Sequence, residues 1–475
     1  MDRAQRIILA LEVNGYRAVI VGGAVRDIVL GVEPKDIDIA TDALPEDVIR
    51  IAENCGWKTI EIGAQFGVIK LIIDHVHYEV ATFRDERYKD DSHRPEEVFF
   101  PVPIKEDLSR RDFTINAMAM DGAGKIADYF GGQVDLQNKV IRTVGSASAR
   151  FDEDALRMFR AARFAAQLDF TVDSGTLAGI RLNHDRVSGL SVERVRDEIE
   201  KTLLGARPSK GLRIMAEYGL LEQFCRINED GIEHTVPILP ELTATLQIVQ
   251  NLRFHKYDVF EHIVRTVDRT PKDIIVRWAA LLHDIAKGSA GVRGINKLGE
   301  ICDHGHAERG AEIAQAVLAR LRVSHENMKT IVWLVKHHMH LPEPQFEAAL
   351  HWVERLSKSF RDIYELQYGL FQLFSLAHAD GLASGFIIEY DATLGKLEAN
   401  VKKIVSEIPF YVQQLAVDGN VIAKFIGVGP QIGKFQQETL RRIQLGKIKN
   451  SRADILDALR AKRAREICKE DFSLQ

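Results

Sequence analysis

The sequence predicts an α/β head of about 145 residues followed by an all-α body of three further units. Three observations carry this reading. Up to about residue 145, helical and strand-like segments alternate, punctuated by glycines. Beyond it, segments such as "DEDALRMFRAARFAAQL" and "VERVRDEIEKTLLG" keep a helical apolar spacing. Nine of the sixteen histidines fall between His255 and His340, which marks a separate metal-binding or catalytic module. At 475 residues the chain exceeds one ordinary core. The expected units are a head over 1–145, a helical neck over 146–250, a histidine-rich module over 251–385 and a basic helical tail over 386–475.

Each element of the head follows from its local pattern. "AQRIILALEVNG" reads as a helix stopped at Gly15, and "RAVIV" as a strand. Gly22 and Gly23 lead into a short helix near Ala24–Leu30, ended by Gly31. "DIDIA" alternates like a strand, and "LPEDVIRIAENCG" has helical spacing with a glycine stop. "FGVIKLIIDHVHYEVATFR" reads as a strand pair across a turn near Asp74.

A net charge of −5 gives no global sign of nucleic acid. The four cysteines, Cys55, Cys225, Cys302 and Cys468, are scattered and form no metal-like pairs, as expected of reduced thiols in a cytoplasmic protein. The charged, amphipathic N-terminus lacks the apolar stretch of a signal peptide. No run of about 18 apolar residues occurs, so no membrane span is expected.

The chemistry begins with Asp36 and Asp38. In a strand they share a face, with Cα atoms about 6–7 Å apart, while Ile37 and Ile39 face the core. Two carboxylates that close repel each other unless a divalent cation offsets their charge. Two Mg²⁺ ions about 3.5–4 Å apart would clamp the attacking and leaving oxygens of a phosphoryl displacement. Gly22 and Gly23, between strand and helix, let backbone N–H groups approach phosphates, and Arg26 is placed to pair with phosphate oxygens. Glu79, in "HYEVATFR", is a candidate third carboxylate on a neighbouring strand.

With "VGGAVRDIVLG…PKDIDIATD" and "EDLSRRDFTINAMAMD" on the page, the chain resembles the class II nucleotidyltransferases of the polymerase-β superfamily. These are the bacterial-type tRNA CCA-adding enzymes and poly(A) polymerases. The resemblance covers about residues 15–225 and implies a polymerase-β-like head. It implies metal binding by Asp36 and Asp38, and nucleotide contacts from Gly22, Gly23, Arg26 and Asp27. It also implies that Arg111, Asp112 and Asn116 hold triphosphate and sugar, which suits guanidinium, carboxylate and amide groups.

"FDEDALRMFRAARF" puts Asp154 and Arg157 three residues apart, adjacent on one helical face. An aspartate accepts from the exocyclic amine of cytosine or adenine and repels the carbonyl oxygen of uracil or guanine, while an arginine donates to the neighbouring ring nitrogen. Such a pair accepts CTP and ATP and excludes UTP and GTP. The segment resembles the EDxxR nucleotide-reading motif of the class II CCA-adding enzymes, with Glu153 placed to orient Arg157. The resemblance assigns nucleotide contacts to Arg160 and Arg163 as well. Arg163, about 180° round the helix from Asp154, suits a phosphate or structural role better. "FRDERYKDDSHRPEEVFF" keeps a long charged loop that CC-only relatives lack, which favours a full CCA adder over an A-adding enzyme or poly(A) polymerase.

"DVFEHIV", "RWAALLHDIAKG" and "LAHADG" supply His262, His283, Asp284 and Asp380. An aspartate at the end of an apolar helix is rare unless paired or metal-bound. Across about 255–385 the spacing resembles the HD superfamily of metal-dependent phosphohydrolases. That implies a divalent metal, such as Mn²⁺ or Ni²⁺, on these four residues and a metal-bound water that attacks phosphate. His306 with His337 or His338 are candidates for a second ion. His255, His325 and His340 read as ordinary surface or core histidines.

From Lys424 to Lys469 the tail holds twelve Lys/Arg against four Asp/Glu. It resembles the tail of long CCA-adding enzymes that grips tRNA, with Lys424, Lys434, Arg441, Arg442, Lys447 and Lys449 as candidate phosphate contacts. The expected function is template-independent addition of C, C and A from CTP and ATP to tRNA 3′ ends. A second reading is an HD phosphohydrolase or cyclic phosphodiesterase whose head only binds RNA.

Overall fold

The computed structural model describes residues 2–61, 63–87, 97–385 and 388–473. The central part of the charged loop, 88–96, lies outside them, so the reading placed on that loop is not addressed by the structure. The head runs α1 (Asp2–Val13), β1 (Ala18–Val21), α2 (Gly23–Val29), β2 (Asp38–Thr41), α3 (Pro45–Asn54), β3 (Lys58–Ile60), β4 (Val68–Ile73) and β5 (Val76–Thr82). A short hairpin, β6 (Asp85–Arg87) and β7 (Glu97–Phe99), precedes α4 (Ile104–Ser109), β8 (Met118–Met120) and β9 (Ile126–Asp128).

Seven strands form one mixed sheet in the order β3-β4-β5-β2-β1-β8-β9. Asp74 and His75, at φ 49° and 64°, form the tight turn that joins β4 to β5. Strand alternation divides the sheet's side chains between two cores. Ile20, Ile39, Ile69, Leu71 and Val80 pack with α1 and α3 in the main core. Val19, Val21, Ala40 and Ala119 pack on the other face with Ile104 and Leu108 of α4. That second face carries the functional groups of the head.

The head closes with α5 (Gly132–Asn138) and β10 (Val140–Ile141). The neck follows as α6 (Ala147–Glu153), α7 (Leu156–Leu168), β11 (Thr171–Val172), α8 (Ser174–Asn183), α9 (Val192–Leu203) and α10 (Pro208–Glu217). The expectation of an all-α neck is corrected here, as is that of an all-α histidine-rich region, which holds the hairpin of Arg293–Ile295 with Ile301–Asp303. Residues after Gly219 (φ 79°) form a β-hairpin, β12 (Phe224–Glu229) against β13 (Ile232–Pro237), capped by the short α11 (Pro240–Thr243).

The histidine-rich region comprises α12 (Val259–Arg269), α13 (Ile274–Leu282), the hairpin β14 (Arg293–Ile295) with β15 (Ile301–Asp303), α14 (His306–Arg320), α15 (His325–His337), α16 (Phe346–Ser357) and α17 (Ile363–Ser384). After α18 (Ile388–Glu407) the tail adds α19 (Gly419–Ile426), α20 (Pro430–Gln444) and α21 (Arg452–Ser473). One apolar core runs from Ala4 to Phe410. The tail packs separately on Leu415, Ile422, Phe435, Leu440, Ile455 and Leu459. Among the described residues no helix is long and apolar enough to cross a membrane, and Cys55, Cys225 and Cys302 are free thiols.

Candidate active site and metal centre

The head site is built where β1 ends. Gly22 caps α2 at φ 73°, ψ −137°, a conformation open essentially only to glycine. The bare Cα leaves room for Arg111: a Cβ there would lie 2.8 Å from its Nη1. Arg111 is held by Asp107 at 3.4 Å, and Asp107 also takes Arg110 at 2.8 Å. Burial would raise the Asp107 carboxyl, but these two arginines hold it below its usual value. Burial pulls the Arg111 guanidinium down from its own ordinary value, against the attraction of Asp107.

Asp38 opens β2, paired with Val21 on one side and with Glu79 of β5 on the other. Its carboxyl remains reachable by solvent while protein surrounds most of it. Burial first, then the charges of Glu79 and Asp36, push it above the ordinary aspartate value, and Arg111 opposes them. Asp36 lies in a bend just before the strand rather than within it. The expectation of two aspartates on one strand face is corrected accordingly. β1 turns into α2 after Val21, so β1 offers no ladder partner for residues before Asp38. Glu79 is turned to Lys70 at 3.0 Å.

Beside Gly22 and Gly23, a polar chain links α2 to the neck. Arg26 donates to Asp27 (2.7 and 2.9 Å) and, through Nη1, to Asn116 Oδ1 (2.9 Å). Asn116 donates to Asp112 Oδ1 at 3.1 Å, and Arg160 Nε donates to Asp112 Oδ2 at 2.7 Å. Burial would raise Asp112, but Arg160 and Asn116 hold it down at about 2. The ring of Phe164 lies beneath Arg26, Arg160 and Arg163, with guanidinium carbons 5.3, 5.5 and 4.3 Å from its centroid. Sequence reading missed Phe164, although it stands four residues from Arg160 and next to Arg163.

The base-reading segment departs from its expected geometry. The helix stops at Asp154 (φ −151°, ψ 106°) and restarts at Leu156, so Asp154 and Arg157 do not share one helix. Asp154 Oδ1 accepts from the Leu156 N–H at 3.0 Å, a local bond that competes with helix continuation. Its Oδ2 is held by Arg194 of α9 at 3.0 Å, a contact sequence reading did not find. Arg157 donates through Nη1 to Glu153 (2.5 Å) and to the Arg150 carbonyl (3.2 Å), and through Nη2 to the Arg110 carbonyl (2.8 Å). Among the described residues, Nε–H and one Nη2–H take no partner. Arg163 is buried against Glu198 at 2.9 Å, and burial lowers it to about 10.

The second centre lies between α12, α13, α14, α15 and α17. His262 Nε2 is 3.4 Å from Asp284 and 2.9 Å from Asp380, and His283 Nε2 is 3.3 Å from Asp284. His306 and His338 approach the other Asp284 oxygen at 3.3 and 3.8 Å. Two groups of ligand atoms therefore converge, His262–His283–Asp284 and Asp284–His306–His338, with Asp284 common to both. Both Asp284 oxygens are buried without a well-directed hydrogen bond, as expected of a carboxylate arranged for cations. Burial would raise Asp284, but His283 and Lys287 hold it well below the usual range. Lys287, 2.7 Å from Asp284, and His255, packed edge-on against His262 at 4.9 Å, were missed as neighbours of this centre. His337 stays outside it, donating through Nδ1 to the Trp333 carbonyl (2.7 Å) and stacking on that indole.

The six tail cations Lys424, Lys434, Arg441, Arg442, Lys447 and Lys449 are all exposed. Arg441 and Arg442 lie in the last turn of α20, where they also complement the helix dipole.

Comparison with known families fits this geometry. Residues 18–142 match the poly(A) polymerase head domain, 169–227 a probable RNA and SrmB-binding site of polymerase A, and 255–365 the HD domain. The chain carries a poly(A) polymerase head and an HD domain. A CCA-adding enzyme of Geobacillus sp. (strain WCH70) is 48% identical over 219 residues, 46% of this chain and 53% of that protein. One from Limosilactobacillus reuteri (strain DSM 20016) is 45% identical over 242 residues, 51% and 58% of the two chains. The matched segments thus span just over half the length of these curated relatives. The fold of the poly(A) polymerase head and the body behind it is similar to the crystal structure of the Bacillus stearothermophilus CCA-adding enzyme in complex with CTP. That likeness has a TM-score of 0.66 and 28% identity, and covers 99% of this chain and 98% of that one.

Proposed function

We propose that this chain is a template-independent nucleotidyltransferase that adds C, C and A to tRNA 3′ ends, using CTP and ATP in the cytoplasm. The observation that carries the reading is one continuous arrangement. Asp38 and Glu79 face each other across paired strands, Arg111 lies over the Gly22 turn, and the Arg26–Asn116–Asp112–Arg160 chain leads from that turn to the neck.

Asp36, Asp38 and Glu79 are the residues that would hold divalent cations. Burial first, and then repulsion from Glu79 and Asp36, push Asp38 upward; bound cations would offset the repulsive part, and an all-carboxylate set suits Mg²⁺. When bound, Mg²⁺ supplies charge neutralisation at the phosphate under attack. The chain's own groups do the rest. Arg111 and the N–H groups at the start of α2 bind triphosphate oxygens. Asp112 and Asn116, fixed by Arg160 and Arg26, orient the sugar. Asp154, steadied by Arg194, accepts from the base amine, and Arg157, steadied by Glu153, donates to the adjoining ring nitrogen. The tRNA 3′-hydroxyl then displaces pyrophosphate from the α-phosphate. The exposed tail cations serve as sequence-independent phosphate contacts.

A second activity is favoured by the shared Asp284. The buried pair of ligand triads is suited to a two-cation phosphohydrolase centre, with Mn²⁺ or Ni²⁺ as candidates for its nitrogen-rich ligands. The test is direct. The protein is incubated with tRNA lacking CCA, labelled CTP and ATP, and Mg²⁺, and the products are sequenced. Sequential C, C and A addition is expected. A-only or poly(A) products would replace the reading with an A-adding one. Hydrolysis of a 2′,3′-cyclic nucleotide with Mn²⁺ or Ni²⁺ but no incorporation would leave only the HD activity.

A further inference from the structure

A polar cavity of about 530 Å³ opens where the neck meets the HD domain. The start of α10 supplies Arg207, Ser209 and Arg213, within the stretch matched by the polymerase A RNA-binding model, and α12 of the HD domain supplies Arg265, Asp268 and Arg269. Two arginines are stiffened from within. Arg213 makes a two-pronged pair with Glu261 at 2.9 and 3.0 Å, and Arg265 Nε reaches the same carboxylate at 2.5 Å while lying 4.1 Å over the Tyr257 ring. Asp268 is occupied by the Ser209 N–H (2.9 Å) and hydroxyl (2.6 Å), closing the first turn of α10.

The other two charges are not offset in this way. Arg207 is exposed and stands 3.9 Å from its nearest carboxylate, Asp169. Arg269 is exposed, donates to the Arg265 carbonyl at 3.1 Å, and has no carboxylate within 4 Å among the described residues. Four guanidiniums against Glu261 and Asp268 leave a surplus of two positive charges.

We infer that this cavity is a seat for backbone phosphates of an RNA strand, shared between neck and HD domain, so that the HD domain takes part in RNA binding. The walls fix the ligand class. Guanidiniums present paired N–H groups to phosphate oxygens. Among the described residues the lining is polar apart from Ala206 and holds no aromatic ring for a base to stack on, so it holds phosphates without reading sequence. The inference rests on the proposed RNA substrate, but not on nucleotide addition being observed.

The experiment is tRNA binding to the full chain across a salt series, by fluorescence anisotropy, for the wild type and for Arg207→Ala/Arg269→Ala. Both residues are exposed, so the fold is expected to survive, and a thermal melt checks this. The slope of log affinity against log salt should shrink by about 1 per arginine removed. Affinity near 0.1 M salt should drop about tenfold or more, equally for two tRNAs of different sequence. Arg207→Lys/Arg269→Lys should restore most of the slope, which separates charge from packing. Calorimetry with inorganic tripolyphosphate forms the control arm. If the alanine pair loses tripolyphosphate binding while keeping wild-type tRNA affinity and slope, the cavity serves a small polyphosphate and the inference fails. An unchanged slope with tripolyphosphate binding equal in the two proteins, as binding at the head alone would give, also overturns it. Failure of CCA addition with the slope change intact would remove the proposed function and leave this site standing.

Discussion

Arg111 lies against the bare Cα of Gly22, its Nη1 2.8 Å from where a Cβ would stand. Gly22→Ala therefore carries two penalties: a backbone conformation that alanine resists, costing roughly 1–3 kcal/mol, and displacement of the guanidinium. The thermal midpoint is expected to fall by a few degrees, and kcat/KM for CTP by roughly 10²-fold or more. Steady-state incorporation on tRNA checks this; unaltered kinetics would show that Arg111 does not act through that turn.

Arg194 touches Asp154 from a different helix and is 3.0 Å from its Oδ2. Arg194→Ala should loosen base choice without removing the reader. CTP and ATP would lose roughly tenfold of their advantage over UTP and GTP, about the scale of 1.4 kcal/mol. The effect should appear in KM more than in kcat. Arg157→Ala should loosen selection further. Preserved discrimination in both variants would place base reading elsewhere.

The Arg163–Glu198 pair is buried, and burial lowers the arginine to about 10. Removing one partner strands a charge, so Arg163→Met should cost roughly 3–5 kcal/mol. Arg163→Met combined with Glu198→Met should recover much of that loss, and nucleotide choice should remain that of the wild type. A double-mutant cycle by urea denaturation measures the coupling. Altered base selection in the paired variant would instead give Arg163 a direct role.

Asp112 gives a pH signature. Its folded value of about 2 lies below the ordinary 3.8 because Arg160 and Asn116 outweigh burial. A depressed carboxyl contributes stability above the unfolded value, and that contribution is lost as pH falls through the folded value. Between about pH 4 and pH 2 the wild type should lose roughly 2 kcal/mol more than Asp112→Asn does. Denaturation curves at stepped acid pH test it, and parallel losses would contradict it.

For the HD domain, titration calorimetry with Mn²⁺ on Asp36→Asn/Asp38→Asn protein, which removes the head carboxylates from the count, should find two sites. His338→Ala should leave one, because only the second triad contains it, and Asp284→Asn should leave none. CTP incorporation should be untouched by either change made with Asp36 and Asp38 intact. Two sites surviving in Asp284→Asn would mean that the carboxylate is not shared.

Much of this arrangement was legible in the residues, and the gaps have physical causes. Gly22–Gly23, the strand pair around Asp74 and the adjacent His283–Asp284 are local signals, set by backbone freedom or by charge at the end of an apolar helix. What escaped depended on partners distant in the chain. Asp36 reads as strand by alternation, yet β1 ends at Val21 and offers it no ladder. The neck helix reads as unbroken, yet the Asp154 side chain captures the Leu156 N–H and stops it. His337 and His338 are indistinguishable in sequence. They point about 100° apart on the helix, and only His338 reaches Asp284. Arg194 and Phe164 matter through contacts across packed helices, which no spacing rule reveals.

Most buried apolar residues between Ala4 and Phe410 belong to one contiguous cluster running through head, neck and HD domain, with a smaller cluster on the second face of the head sheet. The head site and the histidine-lined centre are therefore tied to one packed core, and cutting the chain between them would bare apolar surface that each now buries against the other.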